Sequence, residues 1–363
     1  EHVTAFEALL DEPLKRYGIE SFRPGARTAR QFGFFSCWEG DMEGAIRWLK
    51  YNGLERNAQE FTRSFGDVRL EQVVPSDAQQ KFLPKPVTSY ARYVNRKRAQ
   101  PSNERTLMPT LIPPGPTHII NAYSLTFHEE RWAVLLSGFW QTIVFDFFVK
   151  MKGSEDIIGS VLRYLPVPND FYSPVLARAL RLGCLTQSYS NIWSECWPEE
   201  GDGGWVIDDS RLVNSVEDDW RRLSSSWVFG SALRCDFSRR QAQVELDVLS
   251  AMAMGLEAKE LIQLYEVQFP VMKSYEEVDE YDSRGQRLPN TSRKDAGGKE
   301  VRDARAGHDG TSPLTVSWEI DNGNQTVTRT FYPPFRHVDR IEDYRTAYRV
   351  FAERLGIEIH QEE

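Results

Sequence analysis

The sequence predicts an α+β protein on two observations. β-rich runs and amphipathic helical patterns occur in the same chain of 363 residues, and 40% of the residues are hydrophobic while 27% are charged. A globular chain of this length exceeds one typical core. We therefore expect a mixed α/β domain at 1–168, a helical lobe at 169–272, and a C-terminal extension at 273–363 with an exposed loop, a β-hairpin and a final helix.

The first 127 residues are predicted to combine two helices and two strands. Apolar periodicity indicates helices at 6–17 and 38–51. β-rich runs at 106–112 and 118–127 are separated by Pro-Pro-Gly-Pro at 113–116. This spacing predicts two strands around a stiff turn.

The segment 129–150 is predicted to form one buried helix. Its apolar side chains follow the i, i+3, i+4 spacing, and Gly153 ends the pattern. The most apolar run of the chain, 132–149, lies inside it, but Gln141 and Asp146 interrupt the run and favour a core helix over a membrane span. Further helices are predicted at 174–183, 185–197, 216–228, 237–254 and 257–266, with Asp236 as the N-cap of the long one.

The C-terminal extension begins with a polar segment. Residues 283–312 are rich in Gly, Arg, Lys and Asp with almost no apolar side chain, which predicts an exposed, mobile excursion. Asn322-Gly323 then lies between β-rich runs at 315–320 and 325–331, a strong signal for a hairpin. A final amphipathic helix is expected at 340–355.

Cysteine and histidine usage indicates the cellular compartment. The 4 cysteines show no CxxC spacing and the 6 histidines are scattered, so we expect reduced thiols, no structural zinc and a cytoplasmic protein. Neither a signal peptide nor a membrane partner is expected. The chain opens at Glu1 without an initiator methionine, as a fragment of a longer protein would.

The densest basic cluster runs from residue 81 to residue 110 in a chain of formal net charge -9. Its basic members are Lys81, Lys85, Arg92, Arg96, Lys97, Arg98 and Arg105, and its one acid is Glu104. Guanidinium groups hold phosphates bidentately or read guanine edges, and Tyr90 and Tyr93 offer stacking faces. The cluster indicates a loop that faces nucleic acid, with a solvated basic loop as the alternative.

Catalytic motifs are incomplete. A class I methyltransferase needs a glycine-rich turn after its first strand and an Asn/Asp-Pro-Pro-Tyr/Phe loop that grips an extruded base. The nearest match, at 332–335, carries tyrosine in place of the hydrogen-bond acceptor. Asp247 with Glu257-Ala258-Lys259 has the order of an Asp…Glu-x-Lys nuclease site, although acids at helix starts explain it as well.

Several stretches together resemble a known family. Asn103-Glu104-Arg105-Thr106-Leu107, followed by Leu-Ile-Pro-Pro-Gly at 111–115, resembles the target-recognition part of large adenine-specific DNA methyltransferases. These occur in single-chain Type IIG restriction-modification enzymes and in BREX and DISARM phage-defence systems. The helix ending near Lys150 and the Arg-Tyr-Leu-Pro-Val-Pro run at 163–168 resemble the recognition domains of Type I specificity subunits. Stretches at 180–193, 239–255, 265–270 and 334–348 resemble the tail of the actinobacterial defence enzymes.

The resemblance covers 28–355 and implies the C-terminal half of such an enzyme, because the cofactor-binding half of the family is missing from these residues. It implies no cofactor in this stretch and S-adenosylmethionine for the full-length protein, which would methylate adenine N6 in a specific sequence. The implied partners are double-stranded DNA, the missing methyltransferase domain or subunit, and other defence-system proteins.

The same resemblance assigns roles to the basic cluster. Arg92, Arg96, Lys97 and Arg98 are expected as phosphate clamps. Asn103 and Arg105 are expected as base or backbone readers, because flat amide and guanidinium groups bind groove edges bidentately. The alternative for Arg105 is an ion pair with Glu104 or with an acid of the helical lobe. Arg239 and Arg240 are weaker candidates.

Two alternative functions stay open at this point. The first alternative to DNA recognition is a non-catalytic module that binds another protein of a defence complex through its aromatic-rich helical lobe. The second is a metal-dependent nuclease built on Asp247 and Lys259. Salt separates DNA binding from an aromatic protein interface, because affinity for phosphates falls steeply with salt.

Overall fold

The computed structural model describes residues 87–100, 102–127, 129–198, 204–213 and 220–357. The predicted helices at 6–17 and 38–51, together with Lys81 and Lys85, lie outside these residues. The chain divides into two compact units, 1–89 and 90–363. Of the first unit only the 3-10 turn Val87–Ser89 is described, and all the strands and α-helices named below belong to the second.

A three-stranded antiparallel sheet opens the second unit. Its strands are β1 (Arg92–Arg96), β2 (Pro109–Ile112) and β3 (Ala122–Leu125), in the order β2-β1-β3. The two predicted strands are therefore present but shorter, and they do not pair with each other. The strand between them comes from the basic cluster, where a loop was predicted. Consecutive residues of β1 are buried on both faces, so the strand lacks the alternation that marks a half-exposed one.

The predicted helix 129–150 is in fact two helices, α1 (Glu130–Trp140) and α2 (Ile143–Lys152), which meet at an 80° bend. Thr142 has extended backbone geometry, and its hydroxyl donates to the carbonyl of Phe139 at 2.7 Å. The amide of Ile143, freed by the bend, donates to Asp247 at 2.9 Å. Periodicity missed the break because both helices keep their apolar positions buried.

Within the described residues no single helix is long and apolar enough to cross a membrane. The bent pair α1–α2 meets the length and composition criteria only when its two helices are taken together.

Seven further helices form the middle of the described chain. They are α3 (Gly159–Leu162), α4 (Tyr172–Gly183), α5 (Ser190–Cys196), α6 (Ser210–Val213), α7 (Asp236–Ala253), α8 (Ala258–Gln268) and α9 (Pro270–Glu276). The long helix α7 matches its prediction within one residue at each end, with Cys235 instead of Asp236 at the N-cap. Such shifts of one residue are normal at helix ends.

The predicted helix at 216–228 is wrong for the part that the structure describes. Residues 220–228 contain the 3-10 turn Trp220–Arg222 and irregular backbone. Two indole groups hold this backbone in place: Trp193 donates to the carbonyl of Ser224 at 2.9 Å, and Trp227 donates to that of Cys184 at 2.9 Å. These tertiary contacts override the local helical pattern.

One hydrophobic core runs through the second unit from Ala91 to Ala352. Its members lie on both sides of positions 168 and 272, where domain boundaries were expected. Helix α4 packs against both α1 and α7. Gly138 permits the close approach of α1 to α4, because a Cβ at position 138 would lie 2.7 Å from the side chain of Val175 in α4.

The C-terminal elements are α10 (Gly298–Ala306), β4 (Leu314–Ile320), β5 (Gln325–Phe331) and α11 (Arg340–Leu355). The predicted hairpin is confirmed: β4 and β5 pair antiparallel, and the residues Asp321, Asn322 and Gly323 of its turn all have positive φ. The final helix is also confirmed. Asp339 caps its start by accepting from two backbone amides.

The segment 283–312, predicted as an exposed, mobile excursion, contains the helix α10 and is partly folded onto the hairpin, although many of its positions are exposed. Helix α10 packs on β4, and a small apolar cluster around Trp318 joins them. An ion pair and a hydrogen bond add to this order: Asp279 accepts from the guanidinium of Arg293 at 2.7 Å and from the side-chain amide of Asn290 at 2.8 Å. Low hydrophobicity concealed this order, since the polar contacts to the buried Asp279 organise the segment together with the small apolar cluster.

Candidate nucleic-acid interface

Two members of the basic cluster face the interior. Arg92 is 2% exposed, and its guanidinium donates to the carbonyl of Pro116. Tyr93, expected as a stacking face, is fully buried edge-on to Trp140, and burial raises its pKa well above the usual range. The expected roles of Arg92 as a phosphate clamp and of Tyr93 as a stacking ring are therefore corrected: neither side chain reaches a ligand outside the core.

The three cations at the end of β1 are less buried than Arg92. Lys97 lies 3.5 Å from Asp156, and Arg98 lies 3.3 Å from Glu155 with 64% of its side chain exposed. Arg96 is half-buried and has no carboxylate partner in the described part of the chain. Exposed ion pairs contribute about 0–1 kcal/mol, so a phosphate can replace these carboxylates at low cost.

Asn103 lies on a short loop that is tied down on both sides. Its backbone amide donates to the carbonyl of Gln100 at 3.0 Å, and the next residue, Glu104, pairs with Arg293 at 3.0 Å. The side chain of Asn103 is half-exposed, and within the described residues its amide group makes no hydrogen bond. Its donor and acceptor are thus available to a ligand.

Arg105 has internal partners, which corrects its expected role as a base reader. Its guanidinium donates to the carbonyl of Gln141 and lies 3.7 Å from the carboxylate of Asp247, and only 11% of the side chain is exposed. The backbone amides of Thr106 and Leu107 donate to Asp146 at 2.9 and 2.8 Å. Arg105 holds this loop to the bend between α1 and α2.

Asp247 is saturated by donors, which argues against the nuclease site. Its carboxylate is fully buried and accepts from the amide of Ile143, from Arg340 at 2.9 Å and from the hydroxyl of Tyr344 at 2.7 Å. Lys259 instead pairs with Glu257 at 3.1 Å at the exposed start of α8. No group of three or more potential metal-ligating side chains occurs in the residues that the structure describes.

The two weaker arginine candidates are also internal. Arg240 donates to Glu276 at 3.0 Å and to Asp343, and Arg239 donates to the carbonyls of Leu182 and Leu233. Their guanidinium groups connect α7 to its neighbours.

Glu276 makes the fold sensitive to acid. Burial alone would raise its pKa, but the charges of Arg340 and Arg240 outweigh burial and hold the pKa well below the ordinary value of 4.5. A carboxylate with a lowered pKa stabilises the fold at pH values above the pKa that it has in the unfolded chain. This contribution is lost as the pH falls and the carboxylate binds a proton. We expect stability to fall as the pH drops below about 4.5, measured by urea unfolding at a series of pH values.

The control for this pH dependence is a neighbouring acid. Glu276→Gln is expected to flatten the acid side of the stability profile, while the same change at the exposed Glu277 leaves the profile unchanged. Equal profiles for the two variants would show that Glu276 does not carry the effect.

An open cleft of about 460 Å³ lies beside the cations at the end of β1. It is lined by Arg98, Ala99, Gln100, Thr106, Val149, Lys150, Gly153, Ser154 and Glu155. The hydroxyl of Thr106 is buried there and has no hydrogen-bond partner in the described part of the chain. The cleft thus combines the ion pair of Arg98 and Glu155 with an unused polar group.

Lys150 places a second cation on this cleft, from the last turn of α2. Its ammonium group donates to the carbonyl of Gln268 at 2.8 Å and lies 3.6 Å from the centre of the Phe269 ring. Burial lowers the pKa of Lys150, and the nearby carboxylate of Asp146 opposes this shift. Lys150 is therefore a positioned charge rather than a freely moving one.

Comparison with models of protein families, with curated proteins and with solved structures returned no match for this chain. The resemblance to adenine-specific methyltransferases therefore stays a prediction that rests on the motifs quoted above. The structure adds cations that the sequence reasoning did not select, namely Lys150 and Lys152 at the end of α2 and Arg163 after α3. Basic residues in the last turn of a predicted helix were the available signal.

Proposed function

We propose that this chain supplies DNA recognition to a site-specific adenine-N6 DNA methyltransferase of a restriction-modification or phage-defence system. Its catalytic domain would lie outside these residues. The observation that carries DNA binding is the partial or full exposure of Arg96, Lys97 and Arg98 at the end of β1, beside a cleft lined by Arg98 and Lys150 and the free side-chain amide of Asn103. The specific methyltransferase activity rests on the family resemblance alone.

The division of roles differs from that expected from sequence. Arg96, Lys97 and Arg98 contact phosphates: Lys97 and Arg98 exchange their carboxylate partners easily, and Arg96 has none in the described part of the chain. Asn103 reads a base edge, because its amide offers one donor and one acceptor side. Arg92 and Arg105 support these residues from the interior. A chain of net charge -9 needs such a local positive surface to approach DNA.

S-adenosylmethionine belongs to the missing part of the enzyme in this proposal. Cofactors of the nucleotide type bind at the carboxyl ends of parallel strands, beside a glycine-rich turn. Both sheets in the described residues are antiparallel, unlike the parallel sheets that bind such cofactors in doubly wound folds, which supports this assignment.

A protein-interaction module is the second candidate, favoured by apolar side chains on the surface of the expected helical lobe. Val228 is 58% exposed and Phe229 is 65% exposed, next to each other in the chain. Exposed neighbouring apolar groups of this kind occur at protein interfaces. Binding through them would respond weakly to salt.

The decisive measurement is binding of the 363-residue chain to a pool of random duplexes over a salt series. We expect one enriched sequence and a steep salt dependence. The triple variant Arg96→Ala, Lys97→Ala, Arg98→Ala is expected to lower the slope of log affinity against log salt by about 2.7, or about 0.9 for each phosphate that the protein no longer neutralises. Asn103→Ala is expected to relax the sequence preference.

A charge-matched triple serves as the control. Lys294→Ala, Lys299→Ala and Arg302→Ala remove the same charge from exposed positions at and before α10 and should leave the slope unchanged. Equal slopes for the two triples would reject the proposed surface. No duplex binding at low salt would favour the protein-interaction module.

A further inference from the structure

The ring of Tyr164 stands on the surface between buried neighbours. It is 63% exposed, whereas Leu162 is 2% exposed and Leu165 is 7% exposed. Leu162 and Leu165 anchor this loop in the core, while Tyr164 presents its ring to solvent. A single exposed aromatic residue is common on protein surfaces and does not by itself indicate a binding site. The groups around the ring must supply that evidence.

The backbone around Tyr164 is held rigidly. The amide of Tyr164 donates to the carbonyl of Val161 at 3.1 Å, and that of Leu165 donates to Leu162 at 3.0 Å. The indole of Trp140 in α1 reaches the carbonyl of Pro166 at 3.4 Å. A ring on such a support binds a planar ligand without a large loss of backbone freedom.

Two cations rest against this ring. The ammonium of Lys152 lies 4.6 Å from the ring centre, and the guanidinium carbon of Arg163 lies 5.1 Å from it. Both side chains are exposed, and neither has a carboxylate partner among the residues that the structure describes. Arg98, in contrast, has two acids within reach. The ring is therefore flanked by positive charge that nothing in the described chain neutralises.

A ligand with a phosphate next to a planar group offers a partner to all three side chains: the phosphate to Lys152 and Arg163, and the planar group to the ring of Tyr164. Cation–π contacts at exposed sites are weak, so Lys152 and Arg163 can leave the ring for a phosphate, which frees the ring face for stacking. Bases in a duplex are already stacked on each other, whereas an unpaired base has a free face. An acidic peptide would match the charge but would leave the ring without a stacking partner.

We propose that Tyr164, Lys152 and Arg163 form a binding site for an unpaired nucleotide of a single-stranded nucleic acid. The base stacks on Tyr164, and the two cations hold the adjoining phosphates. The site does not depend on the proposed duplex recognition, because it uses different residues and a different form of the ligand.

Fluorescence anisotropy of the 363-residue chain with a labelled thymidine oligomer of about 12 nucleotides tests the site, since single-strand sites have this size. Tyr164→Leu is expected to weaken binding at least about fivefold, while Tyr164→Phe keeps the ring and stays within about twofold of wild type. Lys152→Ala and Arg163→Ala are each expected to lower the salt slope by about 0.7. Affinity for a blunt duplex is expected to stay the same in Tyr164→Leu.

Phe229→Leu is the matched control, because this ring is 65% exposed and also carries a cation, with Arg234 at 3.7 Å. Arg234, however, donates to two backbone carbonyls, so it is already engaged. We expect Phe229→Leu to bind the oligomer as wild type does.

Three results would overturn the site: no binding of the oligomer at low salt, wild-type binding by Tyr164→Leu, or equal loss in Phe229→Leu. Equally tight binding of an oligoglutamate peptide would assign the surface to an acidic protein instead. Failure of duplex recognition would show separately, in the triple variant of Arg96, Lys97 and Arg98.

Discussion

Replacing Asp247 by alanine is expected to lower the free energy of unfolding by about 3–5 kcal/mol, a large fraction of the about 5–15 kcal/mol that stabilises a typical domain. The substitution leaves the buried guanidinium of Arg340 without one of its two acids and orphans the amide of Ile143 at the bend between α1 and α2. Arg105 loses its acidic partner as well. The measurement is urea unfolding followed by far-ultraviolet circular dichroism.

Lys259→Ala is the control for Asp247, since both residues belonged to the predicted nuclease site. Lys259 is half-exposed and pairs with the equally exposed Glu257, so its removal should cost less than about 0.5 kcal/mol. Asp247→Asn should fall between the two, because an amide oxygen still accepts from Ile143. A stable Asp247→Ala protein that loses a metal-dependent cleavage activity would restore the nuclease hypothesis.

Gly297→Ala is expected to cost about 3 kcal/mol, the second largest effect. Gly297 precedes α10 with a φ of +81°, a conformation that disfavours any side chain. An added Cβ would also overlap the ring of Trp318, which is 7% exposed in the cluster that joins α10 to the hairpin. Amide hydrogen exchange over 298–306 and 314–331, together with urea unfolding, would locate and measure the loss.

Gly310→Ala separates backbone strain from the clash. Gly310 has a φ of +75°, but nothing lies within 4 Å of a Cβ placed there, so only strain of about 1–2 kcal/mol is expected. Equal losses at the two glycines would mean that Trp318 does not pack on Gly297, and the segment 283–312 would then resemble the exposed excursion that its composition predicted.

Local sequence patterns were sufficient to predict those elements that are specified by their own residues. Periodicity and caps predicted α7 within one residue, and Asn322-Gly323 predicted the hairpin because positive φ at a turn selects such residues. The α+β class is confirmed on the same basis. In the candidate site, Arg96, Lys97 and Arg98 are partly or fully exposed, and their predicted role as phosphate clamps stays a prediction; the sequence reasoning took β1 for a loop.

Tertiary structure decided which arginines remain on the surface. A charge count treats Arg92, Arg98 and Arg105 alike, yet only Arg98 faces solvent while the other two find carbonyl or carboxylate partners in the interior. Those partners lie up to 142 positions away along the chain, as with Arg105 and Asp247. The sequence by itself determined the fold class, the hairpin and the two long helices α7 and α11, because these depend on neighbours in the chain. Burial of charge depends on distant residues that only the folded chain brings together.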